Sequence, residues 1–308
     1  MKDMLDYSKL SNVQLDLFED KPGYAALIME EFIRLKHYLK LKTLKGNIDM
    51  IKKQFRYHLE TSENKRHELE EHNLVCKFTT KKTGTTDYLS LNEFLYDHFG
   101  QLFVDMAEVK YEKIKDNNEL LELVKPYQNP VSFFCAPAFN KAGKELIKPN
   151  LNKYTRLGME ELATSLNAVL PKAEMYDSQY EELKNEMMKC SIIQTLAIET
   201  DEKVKKDLKR LLKHKYGSVS LRFNKPTYDS EEIYKKLGAD FLIQYSQPDA
   251  KLLKQNIMKG WIKEKDVEKF KTIHDIETEF TVMRLDVDRR IRTMYESQLI
   301  RYSLQRAN

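Results

Sequence analysis

The stretches EFLYDHFG at residues 93–100 and EEIYKKLG at residues 231–238 can be laid on one another without a gap, at a constant offset of 138 residues. They share the pattern E-x-[LI]-Y-x-x-[FL]-G, which Phe103 and Phe241 extend. Each predicts a short helix that ends at its glycine, because glycine adopts the left-handed conformation that commonly stops a helix. This correspondence predicts an internal duplication.

The segments before the two stretches follow the same order. Apolar residues recur at helical spacing between residues 28 and 59, and residues 60–73 are interpreted as the solvated end of that helix. Strand formers follow at residues 74–80, and residues 218–223 are the equivalent strand before the second stretch. We therefore predict that each copy is entered through a long helix and a strand.

The segments after the two stretches also correspond. Residues 102–110 predict a strand and residues 118–125 a short helix in the first copy. Residues 131–135 and, in the second copy, residues 280–285 then predict a closing strand. The shared order supports a duplication that covers more than the two short helices.

The long helix of the second copy carries the clearest periodicity in the chain. It begins after Gly158, with an interruption at Pro171, and its spacing alternates between four and three residues from Tyr176 to Leu211. This spacing predicts a coiled-coil seam in which polar Gln194 and Asp201 fix the register. The predicted interface residues are Tyr180, Leu183, Met187, Cys190, Gln194, Val204, Leu208 and Leu211.

These patterns predict an α+β fold that is mostly α, with two long coiled-coil helices that each lead into a small α/β module. The low counts of Gly 9 and Pro 8 argue against long loops. The predicted divisions are an N-terminal segment (1–22), a first helix and module (23–139), a linker (140–157), a second helix and module (158–286) and a C-terminal helix (287–308).

Composition excludes several classes of protein. The net charge of +4 and a pI of about 8.6 fall short of the pI above about 9 that marks a dedicated nucleic-acid domain. Cys76, Cys135 and Cys190 are widely separated, so they predict buried thiols in a reducing cytoplasm rather than a disulfide framework or a zinc site. No segment reaches the roughly 20 apolar residues of a membrane span, and no signal peptide is predicted.

Cations concentrate near the end of the second long helix and on the C-terminal helix, and we predict that they bind DNA or a protein partner. The candidate residues are Lys205, Lys206, Lys209, Arg210, Lys213, Lys215, Arg222, Arg289, Arg290 and Arg292. The alternative is that the last turns of a helix favour cations because of the helix dipole. Asp286, Asp288 and Glu296 lie among the C-terminal arginines and favour internal ion pairs there.

The second copy resembles a known family. A long helix leads into YGSVSLR at residues 216–222, and a proline, a short helix and QPDAKLL at residues 247–253 follow. Over roughly residues 173–286 the chain is similar to the Gam-type host-nuclease inhibitors of bacteriophages and to related phage coiled-coil proteins. The resemblance implies a non-enzymatic protein that dimerises through long helices and shields the ends of double-stranded DNA from exonucleases. The predicted second module means that one chain could imitate a family dimer.

The leading hypothesis is a non-catalytic phage or prophage protein of the host cytoplasm that needs no cofactor or metal. It inhibits a host nuclease or anti-phage defence complex, by shielding DNA ends or by binding the complex directly, and it forms a homo-oligomer. A coiled-coil assembly protein of a phage is the rival. A remote alternative is a metal-dependent nuclease that uses Asp97 or Asp105 with Glu108 and Lys110, because paired carboxylates and a lysine can hold Mg²⁺ and stabilise a phosphorane.

Overall fold

The computed structural model describes residues 23–307, with side chains up to residue 304, so the predicted N-terminal segment (1–22) lies outside the described residues. The helices are α1 (Tyr24–Arg34), α2 (His37–Leu59), α3 (Tyr88–Phe99), α4 (Gln101–Met106), α5 (Tyr111–Ile114), α6 (Asn118–Val124), α7 (Lys141–Leu146), α8 (Met159–Lys189), α9 (Ser191–Ile198), α10 (Glu202–Leu211), α11 (Ser230–Leu237), α12 (Ala239–Tyr245), α13 (Ala250–Lys259), α14 (Glu264–Glu268) and α15 (Leu285–Ala307). The strands are β1 (Arg66–Leu69), β2 (Leu74–Thr86), β3 (Ala107–Val109), β4 (Phe133–Phe139), β5 (Lys213–His214), β6 (Gly217–Phe223), β7 (Ser246–Pro248) and β8 (Lys271–Arg284). The protein is therefore mostly α with some β, as the sequence predicted, and its sheets are small and antiparallel.

The chain divides into two compact units, and each is assembled from two separate stretches. Unit one contains residues 23–61 and Ser132–Asn224, and unit two contains Ser62–Val131 and residues 225–307. The predicted division into consecutive modules is therefore wrong, and the predicted linker (140–157) lies inside unit one. The physical reason is strand pairing between distant stretches: β4 pairs with β6 in unit one, and β2 pairs with β8 in unit two.

Unit one is built on two long helices that pack antiparallel within the chain. His37, at the start of α2, lies 3.2 Å from the Gln179 side chain late in α8. At the opposite end, His58 lies 2.9 Å from the Leu157 carbonyl oxygen, just before α8. Both helices bury apolar side chains that each contribute about 1.5–3 kcal/mol of stability. They include Ile51, Phe55, Leu162 and Leu166.

The predicted coiled-coil seam is not one continuous helix. Cys190 is extended (φ −60°, ψ 132°) and ends α8, and Asp201 precedes α10. The Asp201 carboxylate accepts hydrogen bonds from the N–H groups of Lys203 and Val204, so this residue is a helix cap rather than a polar seam position. The seam residues consequently separate: Met187 and Cys190 are buried, whereas Gln194, Val204 and Leu211 are exposed.

The first long helix also differs from its prediction at both ends. Lys36 adopts a positive φ of 60°, which separates α1 from α2. Residues 60–73 are not a helical end, because they contain β1 and a short 3-10 turn. β1 pairs with β2 from Arg66 opposite Lys77 to Leu69 opposite Leu74. The polar composition of this segment reflects a half-buried edge strand rather than a solvated helix.

Unit two surrounds one apolar core with the paired helices α3, α4, α11 and α12. Leu95, Phe103, Ile233 and Leu242 are fully or almost fully buried in it. The short strands β3 and β7 pair antiparallel, with Glu108 opposite Gln247. The predicted strand at residues 102–110 is mostly the helix α4, because Phe103 and its neighbours turn inward after Gly100 (φ 47°), and only β3 remains extended.

Helix α8 continues through Pro171, so the predicted interruption there is wrong. Proline has no N–H to donate to the carbonyl of residue 167, and its ring crowds the preceding turn. We expect Pro171→Ala to raise the free energy of unfolding by about 1–3 kcal/mol. Urea unfolding, with Lys172→Ala as the exposed neighbouring control, measures the change. A midpoint below that of the control would contradict this expectation.

None of the helices within residues 23–307 is both long enough and apolar enough to cross a membrane.

Candidate functional site

A groove of about 480 Å³ lies in unit one between α9, α10 and the strand β6. We call it the lysine groove. Its lining residues are Leu196, Glu202, Lys205, Lys209, Leu212, Lys213, Ser218, Val219, Ser220, Leu221 and Phe223. Three of the ten predicted binding cations, Lys205, Lys209 and Lys213, therefore line one concave surface.

The local sequence explains the lysine side of the groove. Asp201 caps α10 and fixes where the helix begins. Because residues four apart share a helix face, Lys205 and Lys209 both reach the groove. Lys205 is bonded to Glu202 at 2.9 Å, and this hydrogen bond lowers the pKa of the Glu202 carboxyl.

The floor of the groove is apolar. Leu196, Leu212 and Val219 are buried in the core of unit one, and Leu221 packs against that core. Phe223 closes the row but leaves 54% of its surface exposed. Sequence reasoning missed these floor residues as part of a site, although the strand pattern of residues 218–223 stands directly after the lysine cluster. A surface that is apolar below and cationic at its rim suits a protein segment.

The remaining predicted cations of unit one lie outside the groove lining. Lys206 is exposed on α10, and Arg210 on the same helix pairs with Asp207 at 2.9 Å. Lys215 lies over the Tyr216 ring, with 5.6 Å from its nitrogen to the ring centroid. Arg222 is exposed opposite Phe134 in the sheet. The structure thus divides the predicted patch into a groove face and an outer face.

The predicted C-terminal arginines belong to unit two, and two of them form internal ion pairs. Arg289 contacts Glu68 at 2.7 Å and Glu70 at 2.8 Å, and Arg290 lies 4.0 Å from Asp286. The sequence offered internal ion pairing as the alternative for these arginines, and the two carboxylates raise the pKa of Arg289. Because 55% of its side chain stays exposed, Arg289 as a partner-binding residue stays a prediction. Arg292 remains exposed.

The carboxylates proposed for a nuclease do not gather around a cation site. Glu108 pairs with Lys110 at 2.6 Å, and Asp105 accepts a hydrogen bond from Gln101 at 3.0 Å. Asp97 is exposed. Among residues 23–307, no group of three or more metal-ligating side chains comes together. The nuclease alternative therefore gains no support from the geometry of these residues.

The three cysteines are buried, as the sequence predicted. Burial raises the pKa of the Cys76 thiol to about 12. Burial, with a smaller contribution from Cys190, raises that of Cys135 to about 11. Because the thiolate is the reactive form, these two side chains are packing residues.

Comparison of the chain with protein-family models, curated proteins and solved structures gives no match.

Proposed function

We propose that this protein is a non-catalytic phage or prophage inhibitor that acts in the host cytoplasm on a nuclease or an anti-phage defence complex. The lysine groove carries the proposal, because it offers a concave surface with an apolar floor and a cationic rim. The class of target comes from the resemblance to Gam-type inhibitors over roughly residues 173–286.

The geometry favours direct binding of the protein complex over shielding of DNA ends. Leu221 and Phe223, which keep part of their surface exposed, offer apolar contacts that a phosphate backbone does not use. Lys205 and Arg210 already have acidic partners at 2.9 Å, which lowers the number of cations free to release counterions from DNA. A protein segment uses both the floor and the rim of the groove.

Shielding of DNA ends is the second candidate, because the outer face of α10 also exposes cations. Lys203 and Lys206 lie there beside Arg210. A DNA-binding face of this kind predicts retention of linear duplex over circular duplex in a gel-shift assay, with affinity that falls steeply as salt rises. It would depend on both faces of α10 rather than on the groove alone.

The proposed internal duplication is supported by how the equivalent segments meet. Tyr96 and Tyr234, which are equivalent in the two stretches, have hydroxyl oxygens 3.3 Å apart. Each copy runs from a short helix through a glycine and a second helix into β3 or β7, and these two strands pair with each other. The first strand of each copy pairs with the closing strand of the other, as β2 does with β8 and β6 with β4.

Homo-oligomerisation stays a proposal, and α15 supports it. This helix exposes a series of large apolar side chains, which monomers rarely present together. The series comprises Ile291, Met294, Tyr295, Leu299, Ile300 and Leu304. A small closed oligomer in light scattering fits an inhibitor, whereas large open assemblies would favour the rival assembly protein.

A pair of matched charge reversals tests the proposed function. Lys209→Glu with Lys213→Glu reverses two cations in the groove, and Lys203→Glu with Lys206→Glu makes the same charge change on the outer face of α10. We expect nuclease-treated bacterial lysate to yield a stable complex with a host nuclease or defence protein. Affinity should fall by at least about tenfold for the groove variant only, because like charges then oppose the partner.

Two results would contradict the proposal. Equal loss of binding in both double variants would show that overall positive charge, rather than the groove, is responsible. Loss of every protein complex after nuclease treatment, with retained preference for linear duplex, would establish the DNA-end form instead.

A further inference from the structure

We infer that the lysine groove takes up an extended, acidic segment of the partner, which adds a strand to the open edge of β6. The inference rests on the proposed function, since it specifies how the same groove holds its protein partner. Strand addition is a recurring mode of peptide recognition, in which main-chain hydrogen bonds supply affinity and alternating side chains supply specificity.

The orientation of the backbone groups in β6 follows from the bonds at its two ends. The backbone N–H of Asn224 donates to the Ser132 carbonyl oxygen at 2.9 Å, and the backbone N–H of Asn140 donates to the Tyr216 carbonyl oxygen at 3.1 Å. Even-numbered residues of β6 therefore direct their backbone groups towards β4. Because backbone direction alternates along a strand, the odd-numbered residues direct theirs to the opposite edge. The N–H of Val219, which donates to the Leu212 carbonyl at 2.9 Å, shows this second direction.

This second edge is covered only at its beginning. β5 pairs with Gly217 and Ser218 and extends no further. Within residues 23–307, no backbone group is paired with the N–H of Leu221 or of Phe223. A short row of donors and acceptors is thus open along the wall of the groove. An open row of this kind is a template for pairing with another chain.

The residues around the open edge of β6 determine which partner segment can bind there. Residues that alternate along an added strand point to opposite faces, so apolar side chains at every second position can pack beside Leu221 and Phe223. Acidic side chains between them come within reach of Lys209 and Lys213, which border the same groove. The fitting ligand is a segment that alternates apolar and acidic residues.

Lysines beside an open strand edge also have a purely protective use in proteins, where they discourage pairing between chains. The two uses differ in what the backbone of Phe223 does. In strand addition its N–H donates to the guest, whereas in edge protection it stays solvated.

Two substitutions at one position separate these uses. Phe223→Ala removes the exposed ring and keeps the N–H, and Phe223→Pro removes both. The lost N–H faces away from β4, so the sheet of unit one tolerates either residue. The probe is a fluorescent synthetic peptide that alternates valine and glutamate, added at up to millimolar concentration to the full chain, with a valine–lysine peptide as the charge control.

We expect the valine–glutamate peptide to bind and the valine–lysine peptide to fail. Phe223→Pro should bind the first peptide about tenfold more weakly than Phe223→Ala does, because one main-chain hydrogen bond and the approach of the strand are lost. Equal affinities for the two variants, or no binding by the unaltered chain, would overturn the inference.

A chain with Asp16→Lys and Glu19→Lys serves as a further comparison, since residues 13–20 read VQLDLFED and themselves mix apolar and acidic residues. Peptide binding by this variant alone would overturn the assignment to a partner in favour of the chain's own N-terminal segment. A separate result would contradict the proposed function: the double variant Lys209→Glu with Lys213→Glu would capture the host protein as well as the unaltered chain does. Capture that responds to those reversals while the two Phe223 variants bind equally would leave the proposed function intact without strand addition.

Discussion

Replacing Asp288 with alanine is expected to lower the free energy of unfolding by about 3–5 kcal/mol, because it leaves two cations without their buried partner. Only 2% of the Asp288 side chain is exposed, and it accepts hydrogen bonds from Arg66 at 2.7 Å and from Lys77. These bonds tie the start of α15 to β1 and β2. Urea unfolding measures the loss, and Asp116→Ala, at an exposed carboxylate, should change stability by less than about 0.5 kcal/mol.

The same site gives a dependence on pH. Burial raises the pKa of Asp288, but the hydrogen bonds from Lys77 and Arg66 outweigh it, so the net pKa lies below its usual value. A lowered carboxyl pKa contributes stability above the unfolded value of about 3.9, and that contribution is lost as the pH falls through the folded value. Asp288→Asn should therefore flatten the loss of stability in this acidic range. An unchanged acid profile, or an alanine variant as stable as the Asp116 control, would contradict this account.

Replacing Gly217 with alanine is expected to lower the free energy of unfolding by about 3 kcal/mol or more and to abolish partner binding. Gly217 has φ 156°, and a Cβ atom there would overlap the Ala138 carbonyl oxygen and lie 3.0 Å from the Cα of Phe139. All of these are backbone atoms of β4, so no side chain can move aside. The substitution would separate β4 from β6 and remove the strand that forms the wall of the lysine groove.

Gly158→Ala is the matched control for this prediction. A Cβ at Gly158 would meet only the Glu161 carboxylate, at 3.9 Å, and the backbone there is extended. Stability should change by less than about 1 kcal/mol. Thermal unfolding of the two alanine variants, with groove binding measured on each, checks both effects. A Gly217 variant as stable as the Gly158 variant would show that β4 and β6 are not paired in this register.

Local features of the fold could be predicted from the sequence because their causes are local. The helices that end at Gly100 and Gly238 and the strands β2 and β6 carry their own periodicity and their own stop signals. Spacing could not show which strands pair. β2 meets β8 from almost two hundred residues away, and this long-range pairing produces the interleaved units.

The predicted coiled-coil seam was misinterpreted because one sequence pattern fits two different structures. A polar residue at a four-three position fits a coiled coil with a register-fixing interruption, and it equally fits the cap of a new helix. Asp201 caps a new helix. The helix break at Cys190 could not be predicted, because neither a proline nor a glycine marks it. The true partner of the long helix α8 is α2 of the same chain.

The candidate site was half predictable. The run of lysines predicted a charged helix. Only the tertiary structure shows that Lys209 lies on the groove face of this helix and Lys206 on its outer face. The ion pairs of Arg289 in α15 could not be predicted from the distribution of charges along the sequence. Its acidic partners, Glu68 and Glu70, come from a distant segment that was predicted to be helix. The apolar residues of the groove floor could not be identified from the distribution of charges. Their place in the site is visible only in the tertiary structure, where β6 lies beside α10.

Photo-crosslinking from inside the groove is the most direct test of the central claim that this surface holds a host protein. A photoreactive phenylalanine analogue would replace Phe223, and the same analogue at Lys206 would report on the outer face of α10. We expect illumination in bacteria to join position 223, but not position 206, to a subunit of a nuclease or defence complex. No protein adduct at 223, equal adducts at both positions, or adducts to DNA alone would contradict the claim.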